Sequence, residues 1–307
     1  MKDTLRRFLF ENLAVRGELV HLDATWQAIL ERHDYPRPVQ KVLGELMSAV
    51  SLLIATLKFN GQLIAQIQGD GPVSLLVVEG TSQKTLRATA NMKEGAEVSS
   101  AATMQQLFGH ARLVITLDPE KGERYQGIVT LAGDNIADAL TDYLLRSEQL
   151  DTDIWLVADD KRAAGLLIQK LPDTEKVKSG SNILSFDSAE ENIDLDGWNR
   201  IQQLSSTIKD EELLDLNAEE IIHRLYHEED VRLFDAEHMS FRCSCSRERV
   251  EKMLFSLGVE EVKSMIEELN NIEVACEFCH HKYRFDAVDA EQIFTSNIPH
   301  SAPQTEQ

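Results

Sequence analysis

The sequence predicts an α+β protein in three parts: an N-terminal core of mixed sheet and helix, a helical linker, and a small cysteine-bearing C-terminal domain. Three observations lead there. A helical-period run over residues 36–58 is followed by short strand-like segments that do not alternate strictly with helices. A later stretch is dense in acidic residues, and all four cysteines fall between residues 243 and 279. The expected boundaries are a core over 1–175, an acidic helical linker over 176–233, the cysteine domain over 234–294 and a disordered tail over 295–307. A chain of 307 residues exceeds the ~250 at which single cores stop growing, so more than one unit is the default.

Between Pro36 and Lys58, Val39, Val42, Leu43, Leu46, Met47, Val50, Leu53, Ile54 and Leu57 recur at three- and four-residue intervals. That spacing puts one broad apolar face on a helix, and Asn60-Gly61 ends it. Strand character follows in Gln62–Gln68, Val73–Val78, Thr85–Ala90, Arg112–Leu117 and Tyr125–Leu131, several of them bounded by Gly or Pro. Asp134 can cap a helix running to about Ser147. Two more strands are expected at Ile154–Ala158 and Ala164–Ile168, and Leu171-Pro172-Asp173 closes the core. Arg16-Gly17, Gly69 to Pro72 (GDGP) and His110 read as turn or core features rather than catalytic ones.

Residues 187–230 hold fourteen acidic residues against three basic ones, about half of the chain's net charge of -21. Helical spacing persists through Trp198, Ile201, Leu204 and Ile208, then Leu213, Leu214, Ile221, Ile222, Leu225 and Tyr226, so the stretch reads as amphipathic helices. A solvated connector and a regulated segment both fit it. The overall charge repels a phosphate backbone and argues against nucleic acid as a partner. The longest strongly apolar run, Ala49–Leu57, is too short to span a membrane. Charges at Asp3, Arg6, Arg7 and Glu11 interrupt what would be a signal segment. The sequence therefore reads as cytoplasmic, with no membrane partner.

A thiol cluster in a cytoplasmic chain points to metal or redox chemistry rather than a disulfide framework. Cys243 and Cys245 form a Cys-x-Cys arm, and thirty residues later Cys276 and Cys279 form a Cys-x-x-Cys arm. The spacing is close to a zinc ribbon and predicts one zinc ion held by all four cysteines. Four thiolates close a tetrahedral sphere and leave no position for a catalytic water. Cys243 and Cys245, two apart on an extended segment, can face one ion, while a tight turn can present Cys276 and Cys279.

Between the arms, two short helices split at Gly258 are expected to form a seam of Val250, Leu254, Leu257, Val262, Ile266 and Leu269, with Ser246 capping the first. Domains of ~60 residues are marginal alone, and structural zinc supplies ~10–16 kcal/mol of apparent binding free energy, so loss of the ion should unfold the domain. Arg242, Arg247, Arg249, Lys252, Lys282 and Arg284 crowd the cysteines in sequence and are expected to favour the thiolate form. His280 and His281 stand beside Cys279 but are not needed as ligands. A purely structural zinc knot, a docking module, a thiol oxidoreductase built on Cys276 and Cys279, and a switch all remain open on spacing alone. No Walker loop, dinucleotide fingerprint, HExxH or Gly-x-Ser-x-Gly elbow occurs.

The run Arg224–Phe234 (RLYHEEDVRLF), with Phe241–Arg249 (FRCSCSRER), Leu257–Glu261 (LGVEE), Ile272–Cys279 (IEVACEFC) and Tyr283–Asp286 (YRFD), closely resembles the redox-regulated 33 kDa chaperonin family, heat shock protein 33. The resemblance extends to Glu11-Asn12, Val15–Glu18, Leu43–Glu45, Gln66–Pro72, Tyr125–Gly127 and Tyr143–Gln149, and is weakest from about Glu175 to Leu216. It implies a cytoplasmic holdase of the oxidative stress response, not an enzyme. It implies a protein inactive while reduced and zinc-bound, which oxidation by peroxide or hypochlorite converts to a form that binds unfolding client proteins, as a homodimer. It implies redox disulfides pairing Cys243 with Cys245 and Cys276 with Cys279, with release of zinc. It also implies that the linker unfolds with the zinc domain and uncovers apolar client-binding surface.

Overall fold

The computed structural model describes residues 3–57, 60–131, 133, 135–172 and 196–296. The chain divides into two compact units, Met1–Arg242 and Cys243–Gln307. In the first, β1 (Thr4–Phe10) and β2 (Val15–Leu22) precede α1 (Ala24–Leu30) and α2 (Arg37–Thr56). Next come β3 (Gly61–Gln68), β4 (Val73–Thr81), β5 (Thr85–Met92), α3 (Met104–Phe108), β6 (Ala111–Pro119), β7 (Tyr125–Leu131), α4 (Ile136–Glu148), β8 (Thr152–Ala158) and β9 (Ala163–Lys170). After the segment outside the described residues, α5 (Gly197–Ser205), α6 (Asp210–Asp215), α7 (Ala218–Tyr226), β10 (Val231–Leu233), β11 (Glu237–His238) and β12 (Ser240–Phe241) complete this unit. The mixed α+β class is the one the sequence predicts.

Two sheets sandwich α2. One runs β10-β1-β2-β9-β8, with β11 also on β1; the other runs β12-β5-β4-β3-β6-β7. Among the described residues only β12 beside β5 is parallel. The sequence predicts one broad apolar face on α2, but nearly every residue from Pro38 to Ile54 is buried, including Gly44, Glu45, Ser48 and Ser51. The reason is that strands of both sheets pack on it, so its polar side also lies inside. By length and composition α2 could cross a membrane, yet 78% of that apolar window is buried inside the protein. For α4 the cap is Asn135, whose side chain accepts from the Asp138 amide at 2.8 Å; Asp134 lies outside the described residues.

The strands β1 and β2 escaped the sequence pattern. Both faces of β2 are covered, so the period-two alternation of a half-wet sheet is missing there, and in β1 the adjacent Arg6 and Arg7 interrupt it. Leu5, Val20 and Leu22 belong to the core around α2. Phe8, Phe10, Val15 and Leu19 face the other way, with Val157, Ala164, Leu166 and Ile168. Gly17 sits in β2 because the Phe8 ring occupies its side: a Cβ there would lie 2.1 Å from the ring.

That second face is covered by α5, α6 and α7, which bury Ile201, Leu213, Leu214, Ala218, Ile221, Leu225 and Tyr226 against it. Much of the acidic stretch is therefore packed onto the first unit rather than standing in solvent as a connector. Residues 176–195 of that stretch, and the tail from residue 297, lie outside the described residues.

Glu18 in β2 is 1% exposed. Arg16 approaches it only to 3.9 Å, and its Oε2 has no hydrogen-bond partner among the described residues. Burial pushes its pKa from an ordinary 4.5 up to about 7, against the opposing pull of Arg16, Arg7 and Lys84. A raised carboxyl contributes stability that is fully present below 4.5 and lost as pH rises through about 7. Glu18→Gln removes that loss. Its denaturation midpoint should gain on the parent between pH 5 and pH 8, by on the order of 1–3 kcal/mol at the upper end; parallel pH profiles would contradict this account of Glu18.

Candidate functional site

The second unit contains α8 (Arg247–Leu257), α9 (Val259–Leu269), the hairpin β13 (Ile272–Ala275) and β14 (Lys282–Phe285), and α10 (Ala287–Ser296). Ser246 caps α8 by accepting from the Arg249 amide, and the helices break at Gly258, whose φ of +95° suits glycine. Its core is small: Leu254, Val262, Ile272, Phe285, Ala290 and Ile293. Val250 and Ile266 join its margin. Leu257 and Leu269, expected in the seam, are instead 50% and 60% exposed. Each ends its helix, and β13, β14 and α10 supply the apolar contacts in their place.

All four cysteines converge. Their sulfurs lie within 4.8 Å of one another, with Cys243 to Cys276 at 3.6 Å and Cys245 to Cys279 at 3.4 Å. A disulfide would need ~2.05 Å, so these are free thiols. Sulfurs ~2.3 Å from a central tetrahedral ion stand ~3.8 Å apart, and the observed spacing fits that set. Cys276 and Cys279 sit in the turn of the β13–β14 hairpin. The Cys276 amide donates to the His281 carbonyl at 2.9 Å and the His280 amide donates to the Cys276 carbonyl at 2.8 Å, with His280 at φ +55°. Cys243 and Cys245 lie in an irregular stretch between Phe241 and α8. The four thiols can hold a metal ion.

Burial pushes the Cys276 and Cys279 thiols up, and the neighbouring cysteines push them further. Backbone amides pull the other way without reversing the result. At Cys276 and Cys279 nearby cations do not bring the thiols down, and four of the basic side chains are engaged elsewhere. Arg247 lies 4.3 Å over the Phe285 ring and pairs with Asp289 at 2.7 Å and Glu251 at 3.1 Å. Lys282 and Arg284 share Glu273 at 2.7 and 2.8 Å, and Arg249 donates to Ser244. Only a cation placed among the sulfurs would favour four thiolates.

His280 and His281 do not join the ligating group; the His281 ring meets Tyr283 edge to face. His110 and Asp70 lie in two separate loops forty residues apart, the His110 amide donating to the Asp70 carboxylate at 2.8 Å. Sequence reasoning missed one partner of the site. The Tyr283 hydroxyl donates to Cys245 Sγ at 3.2 Å; its place two residues beyond His281, on a strand returning from the turn, was the available signal.

A second feature, also unforeseen in detail, is how the cover of helices is fastened in the first unit. His21 in β2, a buried ring, donates to the Leu213 carbonyl at 3.0 Å, and burial lowers its pKa. Arg162 donates to the Leu214 carbonyl and pairs with Asp215 at 2.6 Å. Arg6 pairs with Glu219, and Gln202 donates to Asp153. The last turn of α6 is thus held by two donors from the sheet.

The Hsp33 protein family model matches residues 3–286. A 33 kDa chaperonin of Shewanella sediminis is 47% identical over 306 residues, covering 100% of this chain and 99% of that protein. One of Methylobacillus flagellatus is 49% identical over 300 residues, covering 97% and 96%. The crystal structure of the heat shock protein 33 homolog of Thermotoga maritima matches with a TM-score of 0.77 at 20% identity, over 96% of this chain and 98% of that one. At that identity the likeness carries the fold.

Tyr283→Phe tests the hydroxyl on Cys245. Partners that orient a ligand typically contribute 10–100-fold to metal affinity, so the variant should surrender metal to a competing chelator at about tenfold lower chelator concentration. An unchanged competition curve would mean that the hydroxyl contributes nothing.

Proposed function

This chain belongs to the Hsp33 family, and from that premise we propose that it is a redox-regulated holdase, inactive while reduced. The observation that carries the reading is the convergence of Cys243, Cys245, Cys276 and Cys279 within 4.8 Å in a unit with six buried apolar residues. One zinc ion per chain, when bound, would supply the positive centre that four thiolates require and most of the free energy that keeps so small a unit folded.

Peroxide or hypochlorite is the proposed oxidant. Each disulfide forms as two thiols give up two protons and two electrons, reducing peroxide to water or hypochlorite to chloride and water. The pairs proposed are Cys243 with Cys245 and Cys276 with Cys279. The reduced sulfurs all lie close enough to leave pairing to the order of oxidation, so disulfide mapping decides it. Oxidised sulfurs no longer bind zinc, and a unit that needs the ion then melts. One- and two-residue spacings close at little entropic cost but with strain, which favours ready reduction.

Unfolding proteins are the proposed partners, and the surface offered to them is the sheet face carrying Phe8, Phe10, Leu19, Leu166 and Ile168, now covered by α5–α7. An active homodimer, a cytoplasmic setting and a role in the oxidative stress response belong to the same reading. No catalysis and no nucleic-acid or membrane partner is part of it.

Zinc-loaded protein treated with peroxide under mild warming should release zinc, form disulfides and then suppress aggregation of a heat-denatured client. Zinc loss and disulfide formation with no gain in suppression would sink the holdase reading. A separate expectation concerns the cover. Ile221→Asp places a charge where the side chain is fully buried and should lift α7 from the sheet, so aggregation suppression appears without oxidant. If the variant folds, loses the protection of residues 196–233 from protease and still does not bind clients, the covered face is not the client surface.

A further inference from the structure

We propose that His223 and His227 form a second metal site, on the solvent side of α7, for a divalent cation that prefers imidazole. The proposal does not depend on the holdase reading. Two histidines four residues apart on one helix face can both reach a single ion. His227 is the residue after the last turn of α7, yet its φ of −62° and ψ of −17° are helical, so the four-residue geometry holds. The two rings stack with centroids 6.1 Å apart and planes inclined by 26°. An ion ~2.0–2.1 Å from one nitrogen of each ring fits that separation after small rotamer adjustments. The side chain of His227 is 60% exposed, so the site is open to solvent.

The surroundings favour a cation. The rings lie at the C-terminal end of α7, where the helix presents its partial negative charge. Glu228 brings a carboxylate oxygen to 4.0 Å from His227 Nε2, within reach as a third donor, and Asp230 follows, while Glu229 is paired with Arg200 at 2.6 Å. The nearest guanidinium in sequence, Arg224, is turned away onto Glu212 at 2.7 Å and onto Thr207. Imidazole with a carboxylate suits Zn²⁺, Ni²⁺ or Cu²⁺ rather than Mg²⁺ or Ca²⁺. The opposite face of α7 buries Ile221, Leu225 and Tyr226. An ion bridging one turn would therefore stabilise the covered arrangement by mass action.

The test uses reduced chain already loaded with one zinc, so that the four thiols are occupied, and titrates Ni²⁺ by calorimetry. One further equivalent should bind. His223→Gln and His227→Gln should each weaken it by at least about tenfold, or ~1.4 kcal/mol, while a His280→Gln/His281→Gln variant retains it. In the parent, paramagnetic broadening by Ni²⁺ should centre on the His223 and His227 ring resonances. Circular dichroism of the two single variants should match the parent, since neither ring is in the core. Absence of the extra equivalent, undiminished binding in both single variants, or loss only in the His280/His281 variant would each overturn the proposal.

Discussion

Four thiols brought within 4.8 Å of one another are the constraint on which the second unit depends. Partial burial already pushes Cys276 and Cys279 away from ionising, and the neighbouring sulfurs push these two further. With six buried apolar residues among those described, the unit has a thin core for a domain of this size, which is marginal alone. In the proposed reading, folding and the supply of a positive centre are therefore one equilibrium rather than two. Arg247, Lys282 and Arg284 cannot take that part, since Arg247 is engaged by Phe285, Asp289 and Glu251 and Lys282 and Arg284 by Glu273.

The first unit shows the opposite economy. Its core around α2 is large and closed on both sides by sheets, whereas the outer face of one sheet is covered by three short helices. The ion pairs that fasten them, Arg6 with Glu219 and Arg162 with Asp215, leave the acidic partner about 60% exposed, where such pairs contribute ~0–1 kcal/mol. What holds the cover is the apolar contact of Ile201, Leu213, Ile221, Leu225 and Tyr226 with the sheet, together with the buried bond from His21. A layer attached mainly by one apolar face can leave without disturbing the core beneath, and what it leaves is apolar.

How much of this the sequence disclosed follows from which faces are wet. Strands β3 to β7 show alternation because one side of their sheet is partly solvated, and they stand within a few residues of where the pattern puts them. The hairpin β1–β2 has no such signature: with both faces of β2 buried, Glu18 and His21 inside, and Arg6-Arg7 breaking the pattern of β1, its residues mimic an irregular polar segment. The cysteines were legible because thiols at that spacing have few other uses. The charges around them were not, since sequence proximity cannot say that Arg247 lies over a ring thirty-eight residues away or that Lys282 turns to Glu273. Leu257 and Leu269 fit the helical period yet face solvent, because periodicity names a face without saying what covers it.

The chain between the cover and the cysteines limits how melting in one place is felt in the other. From α7 it runs through β10 on β1, then β11 and β12, each two residues long, to Arg242, the neighbour of Cys243. The last part is held by amides of Met239, Ser240 and Arg242 donating to Asp3, Lys84 and Leu86, by buried Met239 and by Arg32 over Phe241. Net contributions are ~0.5–1.5 kcal/mol per hydrogen bond and ~1.5–3 for one buried side chain, and Glu237 adds pairs with Arg7 and Lys84 at 3.0 and 3.4 Å. In the proposed switch, where ~10–16 kcal/mol is at stake when a structural zinc site is lost, such short strands would be a minor barrier. Whether the cover lifts is then decided further along, by the apolar grip of α5–α7 on the sheet.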